Sequence, residues 1–430
     1  MATLTWTGNA TAVKQIDTIT VANTWAAADT VTLTINSKDL VITIGSLVTT
    51  SQVATTIQQA IENIAFTDST ASRNLTNGKQ DFPELNEVIA TVNAAIVTLT
   101  ARVAGKPFTL SVTEVTAGNG TSAEATATAA TGPNHFDNAD NWTTATAPSS
   151  NDNLHFNQSA NADCLYALST GLAIANIRVQ GFRRHIGLPF INADDPARPY
   201  AEYRTTHLTY TGVSNYLDVD APNAGRIFFN CPTIPINIIR GGNDLAGGVP
   251  SIQVVGSTVV SGHIRSGHVG IGYRGEDTTV VGAVLVQGGK VTIGNGSSGG
   301  AASAITQLAG IVVMDTGIGT GTSFDVTLSG GELIANGGYI GAITISGGVM
   351  RYNSIAPEGG TITLRGNGHL DFTDQPDSIA VPVIERYSND SKVSDPNGKV
   401  ASLIVDNNQV NNTSNLDIGY NYKITRAAVT

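Results

Sequence analysis

The chain has 430 residues, with 23 Lys or Arg against 34 Asp or Glu and a net charge of −11. Only 13% of it is charged, about half the ordinary share, and 46 glycines and abundant Thr take up the difference. This excludes a long-helix protein and a disordered one, and it removes any electrostatic reason to bind nucleic acid or anionic membrane. Gly, Thr, Val and Ile with little charge specify many short strands and turns, a mainly β fold.

Residues 1–131 read as a small α+β domain. Alternating strands are expected at Ile16–Val21, Val31–Ile35 and Leu40–Ile44, the last two joined as a hairpin through Asn36-Ser37-Lys38-Asp39. The period then becomes helical at Val53, Ile57, Ala60, Ile61 and Ile64, with Thr50 or Ser51 as N-cap. Strands resume at Glu87–Val92, Ile96–Arg102 and Phe108–Val115, and the small alternating residues of Thr121–Thr128 suit a closing edge strand. The pattern predicts a β-β-α-β-β unit with its helix across one sheet, folding alone.

Gly132-Pro133 marks a boundary, after which Trp142 is placed to anchor the first core layer of a new domain. Residues 132–249 read as a β-rich transition and the first coils of a solenoid. From 250 to 372 one form recurs, apolar-x-apolar-polar-Gly-Gly-x-apolar, at Val284–Ile293, Val326–Ile334 and Ile343–Met350, with a looser copy at Ile362–Leu370. Successive glycines stand 20, 17 and 19 residues apart at Gly310, Gly330, Gly347 and Gly366. This is the period of a β-solenoid (β-helix), about half that of a propeller blade, with glycines supplying positive φ at the bends. Residues 373–430, where the repeat fades, read as a β-rich C-terminal cap.

Nothing in this pattern supplies an evident catalytic or ligand-binding constellation. Asp371, Asp374 and Asp377 are the densest carboxylates beside the solenoid, in the position where a glycosidase would carry its acid pair. They flank a proline and read better as a solvated turn, and residues 250–350 hold only Tyr273, Phe324 and Tyr339 as aromatics for sugar stacking. His263 and His268 have no third ligand at zinc spacing and read as turn residues. Gly294–Gly300 lacks the Lys-Ser/Thr and following helix of a phosphate cradle and reads as a flexible loop. Arg183, Arg184, His185, Glu202 and Arg204 form the one concentration of charge, serving either a subunit contact or a network within the domain. Cys164 and Cys231 either pair or remain free. No catalytic, cofactor-binding or metal site is assigned. No apolar run has bilayer length, and the opening residues lack the order of a secretory signal.

Several stretches carry a family resemblance. Leu4–Val13 with Asp29–Asn36 resembles an N-terminal domain of tailed-phage and prophage structural proteins, and Gly187-Leu188-Pro189, Glu202-Tyr203-Arg204 and Leu208 resemble their middle part, ahead of a glycine-rich solenoid. Asp140-Asn141-Trp142 through Pro148 and Asn151-Asp152 also resembles the opening of autotransporter-like β-helix domains. The first resemblance implies a non-enzymatic bacteriophage virion protein: a capsid decoration, head fibre or tail appendage. It would bind major capsid or tail proteins through residues 1–131 and project its solenoid as a homotrimer. A receptor-binding tailspike that binds or cleaves host surface glycan is the alternative, and a bacterial surface adhesin the third reading.

Overall fold

The Gly-Gly repeat builds a parallel β-solenoid of about ten turns over residues 153–418. The computed structural model describes residues 2–75, 82–189, 202–231, 233–256, 259–273, 279–294, 297–315, 324–337, 340–354, 360–401, 403–406, 415–419 and 422–425. Each coil gives one strand to a long sheet of 14 strands and one to a short sheet of 11, and the ladders from Asn153 onward are parallel. Inward residues stack in register, so that Val284, Ile305, Val326, Ile343, Ile362, Ile384 and Val405 form one column of the long sheet. Val291, Val312, Leu333, Met350, Leu370 and Val393 form the matching column of the short one. All are essentially inaccessible, and both columns belong to a single core. A single coil has no way to bury such a column, so the stack is the unit of stability.

The expected role of the glycines is observed at the bend between the sheets. Gly289, Gly310, Gly331 and Gly348 have φ of 75, 82, 83 and 77° and lie directly over one another. A Cβ on Gly310 would stand 2.4 Å from the Gly289 carbonyl oxygen, and one on Gly331 2.3 Å from that of Gly310. Conformation and space therefore both demand glycine. The C-terminal stretch adds further coils, with Ile384–Arg386, Leu403–Asp406 and Tyr422–Thr425 in the long sheet and Lys392–Asp395 and Leu416–Ile418 in the short one.

At its other end the solenoid is closed by the start of the chain. Thr3–Thr5 pairs in parallel with Asn153–His155, and Leu4 and Trp6 belong to the solenoid core. Trp142 fills the first layer as expected, beside Trp6, Phe136 and Phe156. The N-terminal unit is thus an insertion between Trp6 and the return crossing near residue 132, and Thr3–Trp6 lies outside it.

Within that unit the single expected sheet is two four-stranded antiparallel sheets sharing one core with a helix. Ile16–Ala22, Val88–Asn93, Ile96–Ala101 and Thr121–Thr128 form the first, with Val88–Asn93 and Thr121–Thr128 as its edges. Thr30–Ile35, Lys38–Thr43, Ser72–Arg73 and Leu110–Val115 form the second. Alternating polar residues masked the break, because both sheets use the same two-residue period. The helix spans Thr50–Glu62 and is capped by Thr49, one residue before the expected cap, since the side chain of Gln52 closes a capping box with it. Asn63 adopts a left-handed conformation and ends the helix, which leaves Ile64 outside and 48% exposed.

Candidate functional site

The charge cluster expected at residues 183–204 is divided by the fold. Arg183 and Arg184 are exposed. His185 is a local brace: its backbone N–H donates to Asp163 at 2.9 Å, and its Nδ1 accepts from the Arg226 N–H at 2.9 Å. Arg204, held by Glu202, instead reaches the N-terminal unit. The Arg204 guanidinium bonds to Glu87, to the Tyr203 hydroxyl, to Glu202 at 2.9 Å and to the Pro107 carbonyl at 3.0 Å. The Tyr203 hydroxyl donates to Glu87 at 2.6 Å, and Lys106 stands 2.7 Å from the same carboxylate.

These are two carboxylates and two cations in a largely dehydrated junction, joining the first sheet and the following loop of the N-terminal unit to the entry coils of the solenoid. Burial lowers the pKa of Arg204, but Tyr203, Glu87 and Glu202 outweigh it and leave the guanidinium more firmly protonated than usual. Burial drives the Tyr203 hydroxyl far above its usual range and pushes Tyr166 up to about 12. At neutral pH Arg204 is therefore a cation and Tyr203 a neutral phenol. An open pocket of about 330 Å³ beside it is walled by Phe108, Tyr166, Leu168 and Tyr203. Arg204 also lines it, with each of its three nitrogens already donating a hydrogen bond.

Sequence reasoning found Glu202 and Arg204 but missed Glu87 and Lys106. Glu87 ends the short 3-10 turn Pro83–Glu87 and lies 117 residues from Arg204. No spacing links residues so far apart. The one available signal was the scarcity of charge, which makes each buried carboxylate conspicuous.

Of the remaining candidates, Asp371 and His268 are bound into the scaffold. Asp371 ends the strand His369–Asp371 and accepts from the Thr373 N–H at 2.9 Å and its hydroxyl at 2.6 Å. Burial acts against it, yet Thr373, His369 and Arg351 hold this carboxyl below the usual range, the opposite of what a glycosidase acid requires. Asp374 and Asp377 are exposed in the turn that follows, and Asp374 lies 3.4 Å from Arg351. Phe324 is buried and Tyr339 lies outside the described residues, as do Tyr200 and Ala201.

Both histidines expected in turns are on strands, because the parallel ladder continues through them. His263 is exposed on the long sheet. His268 is 2% exposed, its Nδ1 2.7 Å from Asp244 and its Nε2 2.8 Å from the Thr292 hydroxyl. Burial, then Lys290, lower its pKa despite Asp244. In the neutral ring Nδ1–H donates to the carboxylate, and Nε2 accepts from Thr292. The connectivity is that of an acid–base–nucleophile relay, but Thr292 is only 6% exposed and is closed to substrate. The relay ties neighbouring coils together. Ser297–Gly300, expected in a loop, begins the strand Ser297–Gln307, held by parallel pairing to Thr279–Val286; Asn295 and Gly296 lie outside the described residues. Cys164 and Cys231 are buried and form no disulfide.

Two surfaces stand out for what they lack. On the outer face of the first N-terminal sheet, cross-strand rows read Ile89–Thr100–Ile16–Thr128, Thr91–Thr98–Thr18–Ala125 and Asn93–Ile96–Thr20–Ala123. No charge occurs among these residues, whereas a solvated antiparallel face ordinarily carries charges. The second surface is the outer row of the long sheet, where Leu285, Thr306, Thr327, Thr344 and Thr363 are successive partners. No family model matches the chain, and no curated protein or solved structure is significantly similar to it.

Proposed function

We propose that the chain is a non-enzymatic structural component of a tailed-bacteriophage particle, a capsid decoration, head fibre or tail appendage that works as a homotrimer. Its N-terminal unit seats on a major capsid or tail protein, and the solenoid projects from it. The observation that carries this reading is the charge-free outer face of the first N-terminal sheet. That face belongs to a unit joined to the solenoid by two chain crossings and by the Arg204 junction. A flat face of Thr, Ala, Ile and Asn is suited to burial against another β surface, since it has no charge to desolvate. The solenoid supports the same reading: a stack of this kind is a rigid rod, and Asp371 and His268 serve its own coils. The sequence resemblance to virion proteins points the same way.

The test introduces charge on that face. Thr20 and Thr91 are exposed, so Thr20→Lys with Thr91→Lys leaves the core untouched. Wild-type protein added to particles lacking it should decorate them, and the double variant, with unchanged melting temperature, should not. Equal decoration by both removes this face from the proposal.

A further inference from the structure

We infer that the pocket between the N-terminal unit and the entry coils of the solenoid is a binding site for a neutral sugar, one pyranose ring with its hydroxyls. The site goes beyond the attachment role and does not depend on it.

The pocket is open, holds about 330 Å³ and joins two parts of the chain. Residues 107–109 come from the N-terminal unit, and residues 165–169 and 203–205 from the entry coils. Its size falls near the low end of the ~300–1,000 Å³ usual for ligand pockets, which favour such junctions. Its apolar walls include the rings of Phe108, Tyr166 and Tyr203. The Arg204 guanidinium carbon lies 4.2 Å from the Tyr203 ring centre and 5.8 Å from that of Tyr166. His135 meets Tyr166 at 5.3 Å between ring centres, and its Nε2 is fixed 2.9 Å from the Gly105 carbonyl oxygen. The walls are thus preformed, and a ligand need not order them.

The polar groups decide the class of ligand. Thr109, Tyr166, Ser169 and Thr205 bring to the pocket four hydroxyls that bond no group among the described residues. Each can donate and accept at once. Burial, which pushes Tyr166 up to about 12, keeps that phenol protonated. Arg204 is the one charged residue among the described lining residues, and Glu87 and Glu202 balance it. An anionic ligand would find this cation already paired with two carboxylates. A wholly apolar one would strip water from the hydroxyls and put nothing in its place. A neutral pyranose answers both halves of the pocket. Its C–H face suits the electron-rich face of a tyrosine ring, and its own hydroxyls suit the four that are uncommitted. None of the described lining residues is a carboxylate, so the ring is held and not cleaved.

Saturation-transfer NMR on the full chain tests this. The probes are glucose, galactose, mannose, rhamnose and N-acetylglucosamine, each titrated at millimolar concentration as the free sugar and as its methyl glycoside. At least one should bind, with saturation strongest on the C–H protons of one ring face. Tyr166→Phe keeps the ring, loses the hydroxyl and should weaken that binding about 2–10-fold. Ser169→Arg, at an exposed position, should abolish it while circular dichroism stays that of the wild type. Should Ser169→Arg fail to fold, Thr205→Arg, also at an exposed position, must abolish it instead. Equal binding of a sugar and its glycoside marks the ring as the end of a glycan, and binding of the free sugar alone marks a monosaccharide. Absence of binding across all the probes, or binding unchanged in either variant, overturns the site. Glucuronate or cyclohexanol binding as tightly as the best neutral sugar overturns the assigned class.

Discussion

Trp6 and Trp142 meet edge to face, their ring centres 5.2 Å apart at 76°. One ring comes from the first strand of the chain and the other from the entry to the solenoid. Each is anchored, Trp6 Nε1 donating to the Ala162 carbonyl at 2.9 Å and Trp142 Nε1 to that of Phe136 at 2.8 Å. Asn141 secures the crossing between them. Its side chain accepts the Ala10 N–H at 2.8 Å and donates to the Gly132 and His135 carbonyls, both at 2.8 Å. The open end of the solenoid core is thus plugged with aromatic surface, which an exposed apolar column requires.

Trp6→Ala should accordingly lower the stability of the solenoid by ~3–5 kcal/mol, the usual cost of emptying a buried Trp site. Urea unfolding followed by Trp142 fluorescence reads it. If the loss appeared only in the N-terminal unit, the assignment of Trp6 to the solenoid core would be wrong.

Arg204→Met should be as severe, because it takes the cation from buried Glu202 and leaves Glu87 with Lys106 alone, at a cost of ~3–5 kcal/mol. The triple change Arg204→Met, Glu87→Gln, Glu202→Gln should recover a good part of that loss. Limited proteolysis between residues 131 and 141 should be faster in the single variant than in the triple. An Arg204→Met protein as resistant as wild type would show that the junction does not hold the two parts together.

Acid should destabilise the fold through His207. The ring is stacked on Phe228, 5.2 Å away, and burial pulls its pKa from 6.5 down to about 4. Above pH 6.5 neither state takes the proton. Between 6.5 and 4 the unfolded chain takes it and the folded one does not, so stability falls, by about 3 kcal/mol once pH is below 4. His155, His268 and His369 shift in the same direction. Denaturant midpoints measured from pH 7 to pH 4 should decline, and His207→Gln should make that decline shallower. A slope identical to wild type would refute the role of His207.

Two glycines separate conformation from space. Gly171 has φ of 64° and no atom within 4 Å of the place a Cβ would take, so Gly171→Ala should cost only the ~1–2 kcal/mol of left-handed backbone. Gly310 adds a collision with the Gly289 carbonyl, so Gly310→Ala should cost clearly more in the same thermal unfolding assay. Equal losses would mean that the glycine stack is not tightly fitted.

The solenoid was legible because its information is local. Each Gly-Gly bend and each alternating strand repeats within about twenty residues, and the φ of Gly310 and Gly331 is implied by their place in the repeat. Trp142 was legible for a related reason, being a large apolar residue at a turn-rich boundary. What escaped was long-range. Thr3–Thr5 alternates like any short strand, and nothing in it names Asn153–Asn157 as its neighbour. Glu87 carries no mark that points to Arg204. His268 resembles a turn residue in Ser-Gly-His, and only the ladder that carries it past Lys290 shows it to be buried. In the N-terminal unit, period identified the strands but not which of two sheets each joined.

The closure of the solenoid by the first strand has a consequence for synthesis. The Ala2 N–H donates to the Asp152 carboxylate at 2.8 Å across 150 residues. At ~5–20 residues per second, a nascent chain extends for about 8–30 s before that partner exists. The inserted unit has all its own strands by residue 128 and is free to fold during that interval, while Leu4 and Trp6 remain exposed beside it. Leu4 and Trp6 leave the ribosome long before their partners and are thus among the later residues to find their place, and the coils that follow are laid down onto an end already sealed.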